Sequence, residues 1–212
     1  MEIRDPFAHE ASHALVYDAL NITVARVWVQ YDDEGRGGGK TERGAGVEMT
    51  HGCGVLEFMS GGGVLVLIFA QPFDRTINRI KSDMCTILPL LGFTSEQEAR
   101  TQLERLRMAT HDFVGEWVLI HKDPIMRLAT LLQQSPIEDQ RWELSGDALR
   151  EAIQRCWGGI KPSAAVTQAF ADTGWKKILD QTVQLADAVE WQTQVLRHCD
   201  EDRSSQHPPD NG

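Results

Sequence analysis

No two of the four cysteines, Cys53, Cys85, Cys156 and Cys199, form a C-x-x-C pair. That excludes a recognisable cysteine zinc site and gives no disulfide framework. Positive charge is scarce: 21 Lys and Arg stand against 31 Asp and Glu, a net charge of −10. No basic face for nucleic acid could be assembled without an acidic one to compensate. Long apolar runs are missing too. The longest, Gly61 to Ala70, is too short to cross a bilayer, and no signal peptide precedes the first expected helix. The chain is therefore read as cytoplasmic, with no nucleic-acid partner and no membrane span. Its 212 residues suit one domain or one and a half, enough to bury a proper core.

What is there begins almost at once. Ala8-His9-Glu10-Ala11-Ser12-His13-Ala14-Leu15-Val16 contains a complete H-E-x-x-H pattern in a stretch that reads as helix from Pro6 to Leu20. Asp5 precedes Pro6 as a cap, alanines favour the helix, and Asn21 is a natural stop. Residues i and i+4 share a helix face, so both imidazoles can reach one metal ion. Glu10 then stands beside the metal as general base for a water molecule. The plainer alternative is a surface helix with two incidental histidines.

Ile22 to Tyr31 is rich in β-branched and aromatic residues and is expected to be a strand. Its exposed edge could pair with an extended polypeptide. Asp32 to Gly46 reads as a loop, because six glycines oppose regular structure. Gly35 to Thr41 superficially suggests a phosphate-binding loop, but that pattern needs glycine at position 34, which is Glu34. An apolar element follows from Val55 to Ile80, expected as helix in at least two pieces, interrupted by Gly61-Gly62-Gly63 and Pro72. Ser95 to Gln134 should be mostly helix with a break at Asp123-Pro124, and Ala148 to Trp157 a further helix ended by Gly158-Gly159. One or two more helices are expected between Ser163 and Cys199. Asp200 to Gly212 lacks apolar anchors and should be a disordered tail.

Two histidines do not complete a catalytic zinc site, which needs a third protein ligand and an open position. His51, Glu57, Asp74, Asp83, Glu96, His111, Asp112 and His121 are all candidates by residue type, and spacing alone does not choose among them.

The opening run resembles the peptidase domain of the FtsH-type zinc proteases, whose helix carries A-x-H-E-A-G-H-A followed by a strand and a glycine-bearing segment. The resemblance spans about Asp5 to Cys156 and is carried mainly by the first motif. Val64 to Arg75 occupies the place of the family's Ala-Gly-x-x-Ala-Glu stretch. Ser82-Asp83-Met84 matches the step whose aspartate is the family's third zinc ligand. The resemblance implies His9, His13 and Asp83 as zinc ligands, Glu10 as the catalytic base and zinc as the cofactor. Ser12 replaces the family's glycine; its hydroxyl is expected to bond back to a preceding carbonyl. The family's ATPase module is missing.

The expected architecture is α+β and mostly helical, with a zincin-like H-E-x-x-H helix, a small β element and a C-terminal helical bundle. Residues 1–157 would form the peptidase domain, 158–199 a helical extension and 200–212 the tail. The expected function is zinc-dependent hydrolysis of peptide bonds in flexible or unfolded polypeptides. The alternative is a non-catalytic zinc-binding regulatory or adaptor protein derived from a peptidase fold. A homo-oligomer and a separate partner protein both remain open.

Overall fold

The computed structural model describes residues 2–45, 48–72, 76, 112–138, 140–159 and 161–181. Pro6 in the first turn and the alanines that follow make Asp5–Ala19 a helix, α1. It begins one residue earlier than expected. Arg4 holds the N-cap position, and Asp5 lies inside the first turn, where its Oδ2 accepts a hydrogen bond from Gln71 Nε2 at 2.6 Å. Asn21 takes a left-handed conformation (φ 58°), which asparagine tolerates better than most residues, and the chain turns away there. Eleven of the 15 residues of α1 are buried. That is the pattern of a central helix and not of a surface one.

Against α1 lies α2, His51–Leu67, capped by Thr50, whose side chain accepts from the Cys53 N–H at 3.2 Å. Gly61-Gly62-Gly63 does not divide this helix as expected. The three glycines are buried inside it, where close contact with neighbouring helices offsets their poor helix propensity. A Cβ at Gly63, for instance, would press on Val114 at 3.2 Å. The helix expected at Val64 to Arg75 ends at Leu67 instead.

Four strands form one antiparallel sheet in the order β2-β1-β4-β3: β1 Val24–Tyr31, β2 Gly37–Arg43, β3 Ile137–Glu138 and β4 Arg141–Ser145. The segment expected as a glycine loop is thus largely strand. Asp32 shapes its turn, taking the N–H groups of Glu34 and Arg36 on Oδ1 at 3.0 and 2.8 Å. Arg26 then grips Glu42 with two hydrogen bonds, 2.6 and 2.9 Å, which pins the β1–β2 register. Strands β3 and β4 were not expected at all.

Val27 and Val29 on the inner face of β1 are buried, and α1 packs against the sheet. Phe7 and Tyr31 each meet Trp142 edge-on, with ring centres 5.5 and 5.7 Å apart. The outer face carries Arg26, Trp28 and Gln30.

The remaining helices are α3 (residues 112–120), α4 (Lys122–Gln133), α5 (Gly146–Trp157) and α6 (Ala164–Gln181). The break between α3 and α4 falls at His121, with Asp123 inside the first turn of α4 rather than capping it. Helix α5 ends at Gly158 in the left-handed region (φ 56°), as a glycine there permits. Thr50 donates to Asp172 at 2.9 Å, tying α6 to the start of α2. The fold is mixed α/β and mostly helical, with one small sheet. No helix among the described residues is long and apolar enough to cross a membrane. The expected tail at 200–212 lies outside the described residues.

Candidate functional site

His9 and His13 lie one turn apart on α1, and their Nε2 atoms converge to 3.1 Å. Two nitrogens that each lie about 2.0 Å from a tetrahedral zinc would be ~3.3 Å apart, so the pair fits such an ion. Gly61 makes the convergence possible. A Cβ on it would stand 2.7 Å from His13 Nε2 and in collision with the His9 ring. Only glycine lets α2 cross α1 over the two imidazoles.

The other nitrogen of His13 is fully engaged. Its Nδ1 lies 2.8 Å from the main-chain oxygen of Glu57 and 3.0 Å from Glu57 Oε1, in surroundings almost closed to solvent. A carbonyl oxygen only accepts, so Nδ1 carries the proton, and the neutral ring that a metal requires would present the Nε2 lone pair towards His9. This is the outer partner that metal-binding histidines characteristically have, fixing both tautomer and ring orientation. Ser60 also donates to the Glu57 main-chain oxygen at 2.8 Å. Glu57 Oε2 is buried with no hydrogen-bond partner among the described residues. Glu57 therefore serves behind His13 and is not placed as a ligand on the Nε2 side. Residue type put Glu57 among the candidates, and its place behind His13 depends on how α2 crosses α1.

Glu10 is buried on the same helix, with Oε1 4.0 Å from His9 Nε2. The Thr41 hydroxyl, on β2, lies 2.9 Å from Glu10 Oε2 and 2.9 Å from its main-chain oxygen. Thr41 thus donates to Glu10 and holds one carboxylate oxygen. Gly39, two residues before it, is the floor beneath the other: a Cβ there would meet Glu10 Oε1 at 2.9 Å and the Trp28 main-chain oxygen at 2.7 Å. The glycine run and Thr41 are the residues around Glu10 that sequence reasoning missed. The available signal was a single threonine and glycines recurring at every second position.

The sheet also presents an edge beside Glu10. Asp32 N–H bonds to Arg36 O at 3.1 Å, and hydrogen-bonded pairs alternate along an antiparallel ladder. The bonded pairs are therefore Gln30–Gly38, Trp28–Lys40 and Arg26–Glu42. The main-chain groups of Gly37, Gly39 and Thr41 point away from β1. Among the described residues no strand takes them up. The edge expected on Ile22 to Tyr31 is not open, because β1 is flanked by β2 and β4. The outer strands are β2 and β3, and the one beside Glu10 is β2.

Protein-family models, curated proteins and solved structures give no match to this chain.

The remaining sequence candidates do not join the site. His51 packs against Trp175 at the far end of α2, with ring centres 6.2 Å apart. His121 stacks on Trp117 at 3.9 Å, and Asp112 is exposed at the start of α3. Asp74, Asp83, Glu96 and His111 lie outside the described residues. Among the described residues no group of three His, Cys, Asp or Glu is placed to hold a metal. Ser12 departs from expectation. Its hydroxyl is buried and makes no hydrogen bond among the described residues, where bonding to a preceding carbonyl was expected.

Proposed function

We infer that the chain is a zinc-dependent metallopeptidase of zincin-like design, resembling the FtsH-type peptidases, and that its hydrolysis of flexible polypeptides needs no ATP. The observation that carries this reading is the convergence of His9 and His13 Nε2 to 3.1 Å beside the buried Glu10 carboxylate. His9 and His13 would hold the ion, with Asp83 as the third ligand by resemblance. When bound, zinc polarises the scissile carbonyl and lowers the pKa of a water towards about 7.

The chain's own residues supply the rest. Glu10 takes the proton of the attacking water and returns it to the leaving amine, a role worth about 10²–10⁴ in rate. Thr41 holds Oε2, and Oε1 lies 4.0 Å from His9 Nε2, on the side where the proton is taken up. The outward main-chain groups of Gly37, Gly39 and Thr41 pair with an extended peptide and lay its backbone beside Glu10. Such pairing demands strand conformation and little sequence. It favours flexible or unfolded polypeptides, because a folded substrate must first open at the cost of its own stability.

The experiment is hydrolysis of casein-like disordered protein and of a stable folded domain, with and without ATP, by wild type and Glu10→Gln. The reading expects cleavage of the disordered chain alone, independent of ATP and lost in Glu10→Gln. Cleavage that requires ATP contradicts this reading. Zinc bound without hydrolysis of any substrate would replace it with the non-catalytic zinc-binding alternative.

A further inference from the structure

Cross-strand partners share a face, so Gly38 and Lys40 lie on the same outer face as Gln30 and Trp28. Gly37, Gly39 and Thr41 belong to the inner face, as their contacts with Pro6, Tyr31 and Glu10 confirm. On the outer face a trough of about 440 Å³ runs along the glycines, lined by Trp28, Gln30, Asp32, Arg36 and Gly37 to Gly39. Its charges are paired with one another. Arg36 binds Asp32 at 2.7 Å and Glu34 at 3.0 Å. What the trough offers a visitor is therefore an indole, an amide and bare glycine backbone. Arg141, from β4, already stacks its guanidinium over the Trp28 ring at 4.4 Å.

A peptide added to the β2 edge places its side chains alternately on the two faces. A residue bonded to Gly37 or Gly39 turns its side chain inward, towards Glu10. The residue opposite Gly38 turns outward. Because Gly38 spends its own main-chain bonds on β1, that pair is of the non-bonded kind, in which side chains approach most closely. Gly38 contributes no side chain to this pair, and a Cβ on it would meet nothing within 4 Å. The space is available to the substrate.

We propose that this trough is a specificity subsite for an aromatic side chain of the bound polypeptide, at the residue paired opposite Gly38. The inference rests on the reading of β2 as the peptide-binding edge and deepens it. A flat ring fits between glycine backbone and the Trp28 indole, and aromatic pairs across strands gain beyond the area they bury. A charged side chain finds no unpaired opposite charge in Asp32, Glu34 and Arg36.

The test is binding, read by calorimetry on zinc-loaded Glu10→Gln protein, so that turnover does not interfere. The probes are blocked Ala/Thr heptapeptides with one central residue varied among Phe, Leu, Ala, Lys and Asp. The Phe peptide should bind at least about fivefold more tightly than the Ala peptide. Gly38→Val should abolish that preference without lowering the thermal midpoint, since its side chain enters open space. Trp28→Leu should abolish it as well. Equal affinity for all five peptides, or a Phe preference that survives in Gly38→Val, would overturn the subsite. No binding of any peptide would overturn both the subsite and the β2 edge. A Phe preference that depends on Gly38, in a protein whose Glu10-bearing form cleaves none of the peptides, would uphold the subsite and refute the peptidase.

Discussion

Replacing Glu57 with Met separates two effects that the native residue combines. Its carboxylate is 3% exposed, and Oε2 has no hydrogen-bond partner among the described residues. A buried polar group left unsatisfied costs about 1–3 kcal/mol, which offsets the lost Oε1 contact with His13 Nδ1, so the metal-free fold should change by no more than about 1 kcal/mol. Zinc binding should weaken. Loss of an outer partner to a ligating histidine typically weakens metal affinity 10–100-fold. His13 Nδ1 would still have the main-chain oxygen of residue 57 at 2.8 Å, so the effect belongs at the low end. About tenfold, or 1.4 kcal/mol, is expected. A chelator-competition titration reads the affinity, and urea denaturation in excess chelator reads the metal-free stability. Unchanged zinc affinity would refute the orienting role. A metal-free loss of about 3–5 kcal/mol, as when one member of a buried ion pair is removed, would refute the neutral assignment of His13.

Gly61→Ala and Gly54→Ala lie in the same helix and should have opposite effects: Gly54 faces open space and should gain ~1 kcal/mol, while Gly61 should lose about 1–3 kcal/mol and zinc with it. Thermal denaturation with zinc analysis distinguishes them, and equal behaviour would remove the proposed contact with the histidines. Ser12→Ala deletes a buried, unbonded hydroxyl and should stabilise the protein by about 1 kcal/mol; a clear loss in denaturant midpoint would show that the hydroxyl is used. Burial pushes the His121 imidazole below its ordinary value, so the folded protein holds it neutral between Trp117 and Trp157. The unfolded chain binds the proton first as pH falls through about 6.5, so stability declines below that pH until folded His121 is also protonated. His121→Phe should show a shallower decline between pH 7 and pH 5, and parallel profiles would contradict this.

Helix α1 was legible because its information is local: i and i+4 histidines, a first-turn proline and a run of helix formers. The β1 and α5 segments were legible for the same reason. The glycines misled. Gly37 to Gly39 and Gly61 to Gly63 read as punctuation, because propensity describes a residue in isolation. Here Gly39 is bare because Glu10 and the Trp28 carbonyl fill the space beside it, and Gly61 because two imidazoles do. Both requirements come from other segments, 11 to 52 positions away in sequence. Strand β4 was overlooked although Trp142 and Leu144 alternate with Arg141 and Glu143; five residues are too few for the pattern to compete with the helix start that follows. Which strands lie at the edges depends on the pairing of β1 with β4, 111 to 119 positions apart, and β-propensity carries no such information.

The central claim is that His9 and His13 share a metal, and metal analysis of the purified chain tests it most directly. About one zinc per chain is expected in wild type and in Glu10→Gln, and none in His9→Ala or His13→Ala, with all four variants folded by circular dichroism. Equal zinc in wild type and both histidine variants, or no zinc in wild type after loading, would contradict the site.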